Sequence, residues 1–186
     1  MKILLNDQRE VFFAAPYVIG SLAKTVFLDY LSTMDRKVEP LEWSVKSLEN
    51  IPALELYAIL KLRADVFIIE QDCIYPDMDD KDQHALHVIG SKNGEIIAYT
   101  RIFDRGGYFD KASLGRVVVK ESERKFKYGH ELIRQSIRAI EEHFGKQPIK
   151  ISAQQYLIKF YESHRFKAIG EGYLEDGIPH ISMLRS

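Results

Sequence analysis
A chain of 186 residues is long enough to bury the core of one domain, and a formal net charge of -1, from 26 Lys and Arg against 27 Asp and Glu, supplies no basic field for nucleic acid. Cys73 is the only cysteine, which excludes an internal disulfide and fits a reducing compartment, the cytoplasm. No uninterrupted apolar run is long enough to span a bilayer.

In chain order, residues 1-33 come first and stand apart. Their apolar stretch from Val11 to Ala23 is broken by Pro16 and Gly20, and Asp7 and Glu10 occupy the place where a signal peptide carries basic residues. The expected organisation is an N-terminal extension over 1-33 and one domain over 34-186. Met34 offers an alternative start, and an appended helix packing on the domain or on a second copy of the chain is the other reading. Residues 41-48 alternate as a first strand. Leu54, Tyr57, Leu60, Ala64 and Phe67 recur at helical spacing and predict an amphipathic helix over 53-69. An acidic loop from Pro76 to Asp82 follows. Strands over 87-91 and 95-103 are joined by Asn93-Gly94, a pair that accepts positive φ.

The segment 113-130 then reads as strand, basic turn and helix start. Leu114 to Val119 are mostly β-branched and apolar, Arg124, Lys125 and Lys127 follow, and Gly129 opens a helix whose first N–H groups lack partners inside it. Such a terminus suits a phosphate, although three cations on a turn are also what a solvated surface looks like. Ile133, Ile137, Ile140 and Phe144 line one face of that helix, which Gly145 and Pro148 end. Residues 149-166 predict another strand and a short helix ending at Phe160-Tyr161. A final hairpin, 166-173 with 178-184, turns at Glu175-Asp176-Gly177. The pattern is α/β: a mixed, mostly antiparallel sheet of about seven strands flanked by helices.

Two segments carry a family resemblance. Arg124, Gly129 and their spacing match the pattern Gln/Arg-x-x-Gly-x-Gly/Ala, with Lys127 in place of the first glycine. Tyr161 and Phe166 match Tyr-x-x-x-Gly-Phe, with Arg165 in place of its glycine. The chain resembles the GNAT superfamily of acetyl-CoA-dependent N-acetyltransferases. Over residues 41-184 it is similar to the ElaA-like subgroup, through 56-79, His87, 98-102, 115-119, 124-129, Ala153-Gln154, Phe160-Tyr161 and 175-181; a lysine at the Lys127 position is usual there.

The resemblance implies acetyl transfer to a small-molecule or peptide amine. The diphosphate of acetyl-CoA would rest on the N–H groups of Lys125, Phe126, Lys127, Tyr128, Gly129 and His130, with Arg124 and Lys127 adding charge. Val117, Val118 and Val119 would pair with the pantetheine arm, and Gln154 would complete that site. Tyr161 matches the family's thiolate-protonating tyrosine; from spacing alone it is a core aromatic. Glu70, His87 and His180 are the candidates for the general base. Arg101 and Arg116 are candidates for binding a substrate carboxylate, with a structural ion pair to Glu70 as the competing reading.

Asp77, Asp79, Asp80, Asp82, His84 and His87 invite a metal-site reading, but Lys81 and the absent glycine break the calcium-loop pattern, so no metal is expected. A solvated loop that attracts cationic amines is the preferred role. Cys73 has no activating motif around it. The alternatives to an enzyme of this class are a non-catalytic acyl-CoA-binding or regulatory module and a metal-dependent hydrolase centred on the Asp/His loop. Neither nucleic acid nor membrane is expected as a partner, and a second copy of the chain is one candidate partner.

Overall fold
The computed structural model describes residues 39-186, so the extension expected over 1-33 and the domain start at 34 lie outside the described residues. Seven strands build one sheet: β1 (Glu42–Ser47), β2 (Leu86–Lys92), β3 (Glu95–Phe103), β4 (Ala112–Val119), β5 (Ile149–Gln154), β6 (Lys167–Glu175) and β7 (Ile178–Arg185). Their spatial order is β1-β2-β3-β4-β5-β7-β6, and every neighbouring pair is antiparallel except β4 with β5. The mixed, mostly antiparallel sheet expected from the sequence is present.

The two tight hairpins form where residues tolerating a left-handed backbone occur in pairs. Asn93 and Gly94 have φ of 52° and 78°, and Asp176 and Gly177 have φ of 50° and 80°. Both positive values match the right-handed twist of the flanking strands.

Strand alternation divides the sheet's two faces. Val88, Ala98 and Val119 face one way, onto Leu132, Ile133 and Ile140 of helix α2 (Tyr128–Phe144). Their neighbours Ile89, Tyr99 and Val118 face the other way, onto Ile59, Leu62 and Val66. The centre of the sheet is therefore covered on both sides, which explains why these strands read as nearly continuous apolar runs.

Ile59 and Leu62 belong to helix α1 (Ala53–Arg63), which continues from Ala64 to Glu70 with wider, π-type turns. The buried face differs from the expected one. Leu54 and Tyr57 are 85% and 69% exposed, and the sheet instead takes Ile59, Leu62, Arg63 and Val66. Residues 54-62 are apolar around most of the helix, so two faces satisfy the spacing. Packing chooses the one that also brings Arg63 to its buried carboxylate partners. A short helix α3 (Ile158–Glu162) follows β5.

Candidate active site
The sheet comes apart where its one parallel pair begins. β4 and β5 are in register only at Ala112 with Ile149 and Ser113 with Lys150. Beyond those residues β4 stays with β3 as far as Val119, and β5 stays with β7 as far as Gln154. A bulge drives the separation. Tyr99 opposes Val118 and Arg101 opposes Gly115, so β4 carries one extra residue, and Arg116 takes up the left-handed φ of 55°. Such a bulge bends its strand and raises its twist, which turns β4 away from β5. Thr100 Oγ1 donates to the Gly115 carbonyl at 2.8 Å and fixes the bend. A cavity of about 510 Å3 fills the gap.

Of the residues expected to hold a cofactor, Val117, Val118, Val119, Arg124, Lys127, Gly129, His130 and Gln154 line this cavity. Lys125, Phe126 and Tyr128 do not. Tyr128 is buried, its hydroxyl donating to the Glu39 carbonyl at 2.7 Å, Phe126 packs beside it, and the Lys125 ammonium lies over the Phe126 ring. Their contribution to an anion site is limited to the backbone. The basic turn itself is a 3-10 helix, Glu121–Phe126, and α2 starts at Tyr128, one residue before Gly129. Lys127 joins the two with φ of 61°. Arg124 Nε donates to the Val119 carbonyl at 3.0 Å, which holds the guanidinium where β4 ends. Gln154 Nε2 donates to Gln71 Oε1 at 3.1 Å, tying β5 to the segment after the π-type turns.

Tyr161 also lines the cavity. Its ring is 6% exposed and meets Phe160 and Phe166 edge-on, and its hydroxyl makes no hydrogen bond among the described residues. Burial pushes the phenol well above the ordinary tyrosine range, so it keeps its proton at any physiological pH. Glu70 reaches the cavity but is paired with Arg124, at 2.5 and 2.7 Å, and not with Arg101 or Arg116. The hydrogen bond from Arg124 holds its carboxyl below the usual range and weakens it as a base.

His180 lines the cavity with a defined proton. Its Nδ1 is 2.8 Å from the Ile178 carbonyl, which only accepts, so Nδ1 carries the hydrogen and the neutral ring keeps a lone pair on Nε2. His87 is elsewhere. It is 1% exposed and outside the cavity lining, with Nε2 donating to the Asp82 carbonyl at 3.0 Å and Nδ1 accepting from Tyr99 at 2.7 Å. Burial lowers its pKa and keeps it neutral, so its place is structural. His130 meets His164 across a 2.9 Å hydrogen bond; burial, then the neighbouring His130, push His164 down to about 4.

Arg101 and Arg116 line the cavity wall, but their charges face inward to the acidic loop. Arg101 binds Asp79 at 2.6 and 2.5 Å and Asp82 at 2.9 Å. Arg116 Nε binds Asp77 at 2.7 Å, and Arg63 bridges Asp77 and Asp82. Burial works against the Asp79 anion, yet the Arg101 hydrogen bonds outweigh it and hold the carboxyl far below its usual range. The loop expected to be solvated is thus a clamp: Asp77 is 6% exposed and Arg63 and Arg101 are each 1% exposed. The same pairing removes the basis for a hydrolase centred on these aspartates, because their oxygens are already held by guanidinium groups. Among the described residues no group of three or more His, Cys, Asp and Glu side chains converges as metal ligands do.

Ser152, Tyr173 and Glu175 form a further polar cluster in this region, which no motif in the sequence marks. Ser152 Oγ is 2.6 Å from both the Tyr173 hydroxyl and Glu175 Oε2. They lie on different strands, and alternation alone would have put Tyr173 and Glu175 on one face of β6.

The family model described as an acetyltransferase (GNAT) domain matches residues 56-186. Protein ElaA of Escherichia coli strain K12 is 37% identical over 147 residues, 78% of this chain and 96% of that protein. Among solved structures, an acyl-CoA N-acyltransferase from Pseudomonas aeruginosa superposes with a TM-score of 0.74 at 36% identity, covering 78% of this chain and 100% of that one. The Escherichia coli ElaA crystal structure gives 0.73 at 36%, covering 78% and 99%.

Proposed function
The chain belongs to the GNAT acetyltransferase family, and on that premise we propose that it is an N-acetyltransferase moving the acetyl group of acetyl-CoA directly to a primary amine. The observation that carries this reading is the unpaired edge of β4, which borders a cavity with Tyr161 in its wall and Arg124, Lys127 and the start of α2 where the strand ends.

Acetyl-CoA supplies an acyl group activated as a thioester. The residues present fit it. The first N–H groups of α2, with Arg124 and Lys127, match a diphosphate. The backbone from Val117 to Val119, open on the β5 side, matches an extended arm that carries amides, and an N–H of that edge is suited to the oxyanion that develops on the carbonyl. His180, through Nε2 or a water, takes the proton that the ammonium must lose. The amine nitrogen then forms its bond to the acyl carbon as the carbon–sulfur bond breaks. Tyr161, still protonated, donates to the departing thiolate.

Two measurements test the reading. Acetyl-CoA at about a hundred times its Kd should stabilise the fold by about 2.7 kcal/mol, seen as a rise in melting temperature. Release of free thiol from acetyl-CoA should depend on added amine. No thermal shift at saturation would overturn the cofactor assignment, and binding without amine-dependent thiol release would make the protein a non-catalytic acyl-CoA-binding module.

A further inference from the structure
Ser152, Tyr173 and Glu175, unused in the acyl-transfer scheme, form a hydrogen-bonded chain with a fixed direction. Ser152 Oγ has one proton, and Glu175 Oε2, 2.6 Å away, can only accept it as a carboxylate. Tyr173, also 2.6 Å from Ser152 Oγ, is therefore the donor at its own link. The chain runs from Tyr173 through Ser152 to Glu175, and it orients the carboxylate. Glu175 Oε1 makes no hydrogen bond among the described residues. Ser152, Glu175 and His180 line the cavity, and the His180 ring stacks on Tyr173 at 6.3 Å. No described cation pairs with Glu175. The carboxylate is thus half-buried, oriented and short of a positive partner beside the candidate base.

The cations in the same wall are in the opposite condition. Arg101 and Arg116, together with Arg63, face Asp77, Asp79 and Asp82, three charges against three. Arg101 Nε and Arg116 Nη1 have no hydrogen bond among the described residues. One forked edge of each guanidinium is already taken, that of Arg101 by the Asp79 carboxylate and that of Arg116 by Asp77, and each charge is met by a carboxylate. An acceptor with an acid group next to its amine would meet matched arginines and an unmatched glutamate.

We infer that the acceptor is an alkylammonium, an aliphatic primary amine with no carboxylate nearby, and that Glu175 Oε1 binds it. This deepens the acetyl-transfer reading and rests on it. Three probes of one length separate the possibilities: 1,5-diaminopentane, n-pentylamine and 5-aminopentanoate, each with saturating acetyl-CoA. The first two should be acetylated with kcat/KM at least roughly tenfold above the third. Glu175→Gln should raise KM for the amines roughly tenfold, and Ser152→Ala should raise it less, with the acetyl-CoA-induced thermal shift unchanged in both. Equal use of 5-aminopentanoate, an unaltered KM in Glu175→Gln, or no turnover of any probe by protein that binds acetyl-CoA would overturn the inference and leave the cofactor reading intact. Absence of the thermal shift in the parent protein would remove the reading beneath it.

Discussion
At Lys127 and Arg165 the backbone holds φ of 61° and 67°, a region that costs a residue with a Cβ about 1–2 kcal/mol. These are the two positions where the family patterns carry glycine and this chain does not. The departures visible in the sequence are thus local strain and leave the chain path unchanged, which the sequence could not reveal because φ is not written in it. Arg165 makes no hydrogen bond or ion pair through its side chain among the described residues. Arg165→Gly should therefore stabilise the protein by about 0.5–1 kcal/mol after the added chain entropy of glycine is subtracted, measured by urea denaturation. The place of Tyr161 in the cavity wall was legible for a different reason, as a matched motif position, and its burial fits the core-filling reading as well. Tyr161→Phe retains the edge-on packing and removes the proton. Turnover should fall roughly 10²-fold while the melting temperature and acetyl-CoA affinity stay as in the parent.

Among elements, strands and hairpins were readable because alternation and positive-φ pairs are local signals. The face of α1 was not, since its sequence is apolar nearly all round and only the sheet decides which side is covered. The clamp on the acidic loop was also hidden. Arg63, Asp77, Arg101 and Arg116 are far apart in sequence, and ion pairing among them depends on the fold that brings them together. That clamp holds the bulge of β4, because Arg116, the residue with left-handed backbone, is anchored to Asp77. Asp77→Asn leaves the buried Arg63 and the half-buried Arg116 cations short of an anion. A loss of about 3 kcal/mol is expected in equilibrium unfolding, far above a surface ion pair.

For the molecule as a whole, the family resemblance read over 41-184 and the matched family model over 56-186 cover nearly the same residues, and both leave out residues 1-33. A chain starting at Met34 should keep the thermal shift with acetyl-CoA, since every residue assigned to that site lies between Val117 and Tyr161. A soluble truncated protein without the shift would show that the first segment takes part in binding. Among the described residues no helix is long and apolar enough to cross a membrane.

The parting of β4 from β5 also gives the sheet a built-in clock. Along Leu114 to Val119, N–H groups pointing away from β3 have no strand opposite them, although they sit in the middle of a seven-stranded sheet. In deuterated water they should exchange at the rate of local fluctuation, while the amides facing β3 wait for much larger openings. An acyl-CoA arm laid along that edge would slow the first set and leave the second unchanged. Mass spectrometry of a peptide spanning 112-119, with and without acetyl-CoA, should show that selective protection. Uniform slowing of both sets would mean that the ligand stiffens the whole domain without lying along the open edge of β4.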